Sequence, residues 1–594
     1  MAKFFPIAQW ARRYDSGDLR PDLLAGLTVA AMLVPQVMAY ALLAGLPPQV
    51  GLYAATIPLL VYAVFGTSRQ LAVGPVAILS LLTATALAPF AEEGTGAYLA
   101  AAAILALLVG AVHLVVGFAR LGNLVSLLSH AVLVGFTSAA AIIIGFSQVR
   151  HILGVTIARQ EHFYDTVREV FASLGDTNQA TLIVGVLSLA VLRILKRTAP
   201  RLPAALIVVV ASILAAEVLD LSSQGVSLVG TIPDQLPFFS IPTGKGSLFL
   251  DLLPSALLIT LVGFMESIAV ARVYARRNKY SLDPNQELIG LGAANVASGL
   301  FGGYPVAGGF SRTAVNDSAG ARTPLASIIS ALLVLFTLAF LTPLLASLPN
   351  AALGAIIISA VIGLIDIKEM RHIAEVKRSD LISLVVAFAA TLILGIELGI
   401  AVAVVTSMLV VLARMSMPHK AVLGKIEGTS TYRNVDRFTD AATDTGTTIL
   451  RIDAAISFIN ASNIKSYVLE QAREVLPHPD PTLVLDASGI NDIDATGADM
   501  IRELLDEMAE LGVAMHLSEV KGPARDVLQR SGLWIDFAHC IHASTDDAVR
   551  FVRGEEQPLK SLRWAGVDER PPEPALETRG DAHDTPTVSA GQSS

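Results

Sequence analysis

Two ionisable residues stand inside runs that are apolar enough to lie in lipid. Arg312 belongs to "YPVAGGFSRTAVNDSAGART", Tyr304 to Thr323, and Glu266 belongs to "LVGFMESIAVAR". A charge held within a membrane signals function by default, because placing it there is costly. The guanidinium offers a planar fork that fits two oxygens of an oxyanion. A carboxylate beside such a site is costly while ionised and takes up a proton readily. An anion arriving opposite the neutral acid could then take over Arg312. Glu266 therefore reads first as a proton carrier, second as a permanent ion-pair partner of Arg312, and third as a sodium ligand. Arg312 itself could instead point away from a ligand and hold a structural ion pair.

The surrounding residues supply neutral hydrogen-bonding groups. Gly308 and Gly309 precede Phe310 and Ser311, and Gly74 and Pro75 precede Val76 and Ala77 in "LAVGPVAILSLLTATALAPF". Each break predicts a half-helix starting near the midplane, with free N–H groups and the positive end of a helix dipole. Two such ends aimed at one cavity make an anion site. Its donors would be the amides of Val76 and Ala77 on one side, and the amides of Phe310 and Ser311 with the Ser311 hydroxyl on the other. Glycine lets the backbone approach a ligand closely. Gln36 and Tyr40, one turn apart after Pro35, would face the same cavity.

The elements that position these groups follow from composition. Of 594 residues 53% are hydrophobic and 16% charged, with a mean hydropathy of +0.61, which marks a polytopic membrane protein. Apolar runs of roughly 17–25 residues, the length that crosses about 30 Å of hydrocarbon, recur from Leu23 to Leu412. Helices are expected near 23–44, 50–66, 76–90, 98–119, 124–149, 178–195, 203–219, 249–273, 286–301, 310–319, 324–341, 352–365, 379–395 and 397–414. Alternate loops are basic, as at Arg12, Arg69, Arg120, Arg193, Arg272 and Lys368, which orients both termini to the cytoplasm of a plasma or bacterial inner membrane. The 150–177 connection fits that alternation less well. Laying Gly74 on Gly309 makes the third and tenth helices equivalent at an offset of 235. Fourteen helices then divide into two repeats of seven, and an odd repeat must be inverted. Paired interrupted helices in inverted repeats point to a transporter's binding site.

The chain is expected to divide into a cytoplasmic N-terminal segment (1–22), a transmembrane transport domain (23–415), a linker and cytoplasmic domain (416–555), and a disordered tail (556–594). The mixed, polar N-terminus does not read as a removable signal peptide. After Met417, "TTILRIDAAISFIN" and "TLVLDASGI" read as strands, while "NIKSYVLEQAREVL" and "ATGADMIRELLDEMAELG" read as amphipathic helices, which is an α/β pattern. The tail is rich in Pro, Ser, Thr and charge and cannot bury a core. The net charge of -9 lies largely after residue 430 and gives no nucleic-acid footprint. The lone Cys540 excludes an intrachain disulfide framework and a cysteine-rich zinc site. No phosphate loop, nucleophile turn or zinc-protease motif is present, so neither an enzyme, a metal nor an organic cofactor is expected.

"VPQVMAYALLAGLPPQVGLYAA" (Val34 to Ala55), "VGPVAILSLL" and "GGFSRTAVN" resemble the sulfate permease (SulP) family. The resemblance implies a core domain (helices 1–4 and 8–11), a gate domain (5–7 and 12–14), elevator-like transport and a homodimer. It carries anion-lining roles onto Gln36, Tyr40, Ala77, Phe310 and Ser311. It matches Arg312 to the basic residue of sulfate-transporting members and Glu266 to the carboxylate tied to cation coupling. Cyanobacterial sodium-bicarbonate members have aspartate at the Glu266 position and lack the arginine, whereas plant proton-sulfate symporters resemble this chain at "FSRTAVN" and "GTSTYRNVDRF", Gly428 to Phe438. Sulfate moved with protons is the implied activity. Sodium-coupled bicarbonate transport, proton-coupled dicarboxylate transport, and an anion sensor with a regulatory output remain as alternatives. "LVLDASGINDIDATGADMI" resembles a STAS domain, with Thr496 where soluble relatives carry a phosphorylated serine. Phosphate there would sit on a helix N-terminus, and a plain helix cap is the competing role. A regulatory protein partner of this domain is the further expectation.

Overall fold

Helices fill the chain up to Ser416, because in hydrocarbon a helix satisfies every backbone group within its own segment. The computed structural model describes residues 5–122, 129–157, 160, 162–199, 202–233, 235–243, 246–534 and 540–555; the expected tail, 556–594, lies outside them. The chain divides between Val410 and Val411 into two compact units.

In the first unit a helix lies in each of the fourteen expected segments. The first runs from Ser16 to Leu43, longer than expected because Asp15 caps it by accepting from Gly17 N–H. The second is split into Pro48–Ala54 and Ile57–Phe65. Pro58 cannot donate to the previous turn, and the Thr56 hydroxyl bonds the Tyr53 carbonyl at the break. The third and tenth are short, Ala77–Leu87 and Phe310–Ser318. Among the described residues nine helices are long and apolar enough to cross a membrane by themselves. Among the helices outside the expected ranges are Phe163–Ala172 and Ile367–Val376. Both are short and amphipathic, and each buries a single residue, Val170 and Ile373. Helix Gly96–Phe118 packs closely on Pro284–Leu300, where a Cβ on Gly110 would lie 2.6 Å from the Val296 nitrogen.

Two buried carboxylates fasten loops to helices within this unit. Glu287 accepts from the Tyr62 hydroxyl at 2.6 Å, the Thr67 amide at 2.6 Å and hydroxyl at 2.5 Å, and the Ser68 amide at 3.0 Å. Asp22 accepts from the amides of Arg322 and Thr323 at 2.7 and 3.1 Å and from the Thr323 hydroxyl at 2.5 Å. Each is thus held by charge-assisted bonds that offset its desolvation.

The second unit carries a seven-stranded sheet in the order β4 (Tyr432–Asn434), β3 (Lys420–Ile426), β6 (Thr447–Ile452), β7 (Thr482–Asp486), β8 (Ala514–Ser518), β9 (Ile541–His542), with β5 (Ala441–Ala442) also on β3. β3 is antiparallel to its neighbours, and β6 to β9 are parallel. Every residue of β7 is buried, as expected of a parallel strand covered on both faces. Helices Ala461–Val475 and Ala495–Leu511 contribute Ile464, Val468, Ile501 and Leu504 to one core cluster with Leu450 and Leu485. Helix Thr545–Val552 adds Ala548 and Val549 to another with Leu423, Ile449 and Val484.

β8 and β9 bring two imidazoles together, with His516 Nδ1 3.0 Å from His542 Nε2 and Phe551 against both rings. One nitrogen of the pair must accept, so protonating both rings sets two N–H groups face to face. Burial holds the His542 pKa below its ordinary value, an effect the Asp547 charge opposes. The folded state then binds fewer protons than the unfolded one. Stability is full above about pH 6.5 and falls as the pH drops below it. Limited proteolysis of the full-length protein should cut the second unit faster at about pH 5 than at about pH 7. His542→Gln should flatten that dependence, and an unchanged profile would remove the histidine pair as its cause.

Candidate functional site

Two extended segments run into the short helices and cross one another. β1 (Val73–Gly74) and β2 (Ala307–Gly308) pair antiparallel, Val73 with Gly308 and Gly74 with Ala307. Helix Ala77–Leu87 follows the first and Phe310–Ser318 the second, two residues out of the register expected from Gly74 and Gly309. The N-cap positions are Val76 and Gly309, and neither helix start has a side-chain cap. Both therefore present first-turn N–H groups to whatever lies in front of them.

Irregular backbone at this depth must find partners in protein, and here side chains supply them. Asn295 accepts from the Val306 amide at 2.9 Å and donates to the Val306 carbonyl at 2.9 Å. Ser298 donates to the Tyr304 carbonyl, and Ser267 accepts from the Gly308 amide. Thr313 accepts from the Ala72 amide, Asn316 donates to the Gln70 carbonyl, and the Gly309 amide donates to the Ala72 carbonyl. None of these polar residues was singled out in the sequence. The signal present was Asn295 and Ser298 inside "GAANVASG", and Ser267 next to Glu266.

Arg312 is 1% exposed. Its side chain folds back over Gly309, and Nη1 donates to the carbonyl of Pro75. Nε and Nη2 have no hydrogen-bond partner among the described residues. The guanidinium therefore spans the two lead-ins and keeps two donors uncommitted. The ion pair considered between Arg312 and Glu266 is not formed: the Pro75 carbonyl takes the arginine instead, and Glu266 Oε2 is enclosed without a partner. Glu266 is nonetheless neither fully buried nor exposed.

The remaining expected residues surround this centre unequally. Val76 and Ala77 are buried, whereas Phe310 is 51% exposed and Ser311 is exposed. Phe310 leans on the Tyr274 ring at 6.4 Å between centroids. Gln36 and Tyr40 are buried, and Gln36 Nε2 donates to the Tyr40 hydroxyl at 2.9 Å. Gln36 Oε1 keeps no partner. Tyr304, unmarked in the sequence reading, shares a hydrogen bond with Ser80 at 3.0 Å and is fully buried. The donors on offer are Arg312 Nε and Nη2 and the two uncapped helix starts, while Gln36 Oε1 and Glu266 Oε2 are acceptors without a partner among the described residues. The donors suit a small anion that arrives with its own acceptors, and the Glu266 oxygen suits it only when protonated.

In the second unit Thr496 is exposed, at the second position of helix Ala495–Leu511. It is not the cap. Asp494 fills that role, accepting from the amides of Gly497 at 2.8 Å and Phe458 at 2.9 Å. A phosphate on Thr496 would meet a carboxylate already seated at the helix terminus, and like charges oppose that arrangement.

The close approach at Gly309 yields a paired test. A methyl at Gly309 would come within 2.8–2.9 Å of Arg312 Nη2, Cζ and Nε, whereas at Gly74 it would meet the guanidinium at 3.6–3.8 Å, an ordinary contact. Gly309→Ala should dislodge Arg312 from Pro75 and cost about 1.5–3 kcal/mol, while Gly74→Ala should cost little. Thermal midpoints of the purified variants, with and without added sulfate, read the difference. Equal midpoints for the two would show that the guanidinium does not hold the crossing.

Comparison with known proteins gives the same outline. Residues 19–387 match the sulfate permease family, and residues 439–548 match the STAS domain. Among similar curated proteins are sulfate transporter 4.1, chloroplastic, of Arabidopsis thaliana, 39% identical and covering 94% of this chain and 84% of its own, and a probable sulfate transporter of Mycobacterium tuberculosis, 38% identical with 88% and 93% covered. Among solved structures, the murine solute carrier 26 family member A9 anion transporter in its inward-facing state superposes with a TM-score of 0.85 at 27% identity, covering 93% of this chain and 94% of its own. With both the family match and these relatives spanning most of its length, the chain belongs to the sulfate permease family and carries a C-terminal STAS domain.

Proposed function

We propose that the protein is a secondary active transporter that moves sulfate, or a similar small oxyanion, across a plasma or bacterial inner membrane together with protons. The observation that carries this reading is the pair of uncapped helix starts around a buried guanidinium with two uncommitted donors. One guanidinium and two helix-start dipoles are positive in sign, and a tetrahedral dianion that reaches them could use all three. The curated relatives named as sulfate transporters favour sulfate among such anions.

Glu266 is assigned the coupling proton. Asp22 and Glu287, the other enclosed carboxylates of the membrane helices described above, are saturated by donors. Glu266 Oε2 has none, and an unpaired carboxylate oxygen is cheaper to hold neutral than ionised. A proton on Glu266 removes repulsion toward the incoming anion, and its release accompanies anion departure. The rest of the reading follows family architecture: fourteen spans in two inverted seven-helix repeats, core and gate domains, an elevator-like movement, cytoplasmic termini and a homodimer. The STAS domain is assigned a regulatory role, with a protein partner and with Thr496 as its candidate modification site, where a phosphate would act by repelling the Asp494 cap rather than by docking on the helix terminus.

Purified protein in liposomes should accumulate labelled sulfate under an inward proton gradient. Sodium-driven uptake of bicarbonate, or proton-driven uptake of fumarate, in place of sulfate would overturn the substrate assignment. No flux of any of them would favour the sensor. Glu266→Gln should abolish proton-driven accumulation while sparing sulfate exchange. If gradient-driven accumulation survives in that variant, the coupling proton sits elsewhere.

A further inference from the structure

The stretch "GTSTYRNVDRF", Gly428 to Phe438, is unused by the membrane site. It forms β4, and its Arg433, Arg437 and Phe438 line a surface cavity of about 220 Å³ with His419, Arg451 and Asp453. That volume is below the roughly 300 Å³ of the smallest drug-sized pockets. It therefore suits a small ionic group rather than a whole nucleotide.

The charges in the cavity do not cancel. Three guanidinium groups face a single carboxylate, which leaves two positive charges over. Asp453 is already engaged by Arg451 Nε and Nη2 at 2.7 and 3.2 Å and by His419 Nδ1 at 3.0 Å. With His419 donating through Nδ1, its Nε2 is an acceptor, 3.4 Å from Arg437 Nη2. The other Arg437 donors have no partner among the described residues. Arg433 has no carboxylate or hydrogen-bond partner for its side chain among the described residues; its guanidinium stands 6.0 Å over the Phe438 ring. Forked donors without acceptors are the groups that bind tetrahedral oxyanions bidentately.

Position narrows the source. His419 follows Ser416, the end of helix Ile396–Ser416, by three residues, so it lies within about 11 Å of that end even if fully extended. Asn460 Nδ2 donates to the Met415 carbonyl, both within the second unit. Clusters of basic residues that follow a membrane helix so soon in sequence are the kind that acidic headgroups attract.

We propose that this cavity binds a phosphate-type tetrahedral oxyanion through Arg433 and Arg437, supplied either by the phosphomonoester headgroup of an acidic lipid or by free phosphate. The site is separate from the transport centre and does not depend on the transport reading.

The test uses full-length protein in phosphatidylcholine nanodiscs and reads its thermal midpoint in two arms. One arm adds inorganic phosphate; the other replaces part of the lipid with phosphatidic acid. A rise in the first arm identifies free oxyanion as the source, and a rise confined to the second identifies the lipid. In either case Arg433→Gln/Arg437→Gln should raise the half-maximal ligand concentration at least about tenfold, and Arg312→Ala should keep the response. Arg433→Gln alone breaks no hydrogen bond and serves as the milder variant, with a several-fold weaker response. The proposal is overturned if neither arm responds, if the arginine variants respond like wild type, if Arg312→Ala loses the response, or if phosphatidylglycerol, a phosphodiester, works equally well.

Discussion

The membrane unit depends on one requirement: two pieces of non-helical backbone lie deep in an apolar protein and every one of their polar groups needs a partner. β1 and β2 answer part of it by pairing with each other. Asn295, Ser298, Ser267, Thr313 and Asn316 answer most of the rest. The arrangement leaves the helix starts at Ala77 and Phe310 uncapped, so what remains unsatisfied is concentrated where a ligand can satisfy it. The crossing is held by these bonds, and the helix-start amides are left for another acceptor.

Arg312 belongs to both sides of that account. Its bond to the Pro75 carbonyl closes a gap in the first lead-in, and its free donors point to the need for an acceptor. The structural role and the proposed binding role are therefore compatible for this residue. Under the transport reading, a guanidinium already held at one nitrogen would lose less freedom on binding an anion.

Much of this was legible in the sequence, for identifiable reasons. Hydrophobic length locates the helices because the bilayer fixes the required run, and glycine marks the broken starts because a Cβ at Gly308 or Gly309 would meet Leu71 or Arg312. Arg312 stood out because charge is rare in lipid. The partner of Arg312 was not legible: residue types suggest a carboxylate, whereas only distance reveals a backbone carbonyl. Asn295 and Ser298 escaped notice because a lone amide or hydroxyl in an apolar helix looks the same whether it packs or carries a chain crossing. The split at Thr56 and the amphipathic helices Phe163–Ala172 and Ile367–Val376 were missed because they are short, and their periodicity spans too few turns to stand out. In the STAS domain, Asp494 and Thr496 are both suitable cap residues two positions apart, and only the backbone angles at Asp494, φ -87 and ψ 178, distinguish them.

The bonds that complete the first lead-in reach far along the chain. Ala72 waits for Thr313, Gln70 for Asn316 and Pro75 for Arg312, separations of 241, 246 and 237 residues. Thr67 and Ser68 likewise wait for Glu287. During synthesis the early helices must therefore enter the membrane with this segment incomplete, and it can settle only after the ribosome has delivered residues 287–316. Until then its bare carbonyls and amides need water, a chaperone or the insertion machinery. Order of emergence, as much as final contact, sets when a binding centre can exist.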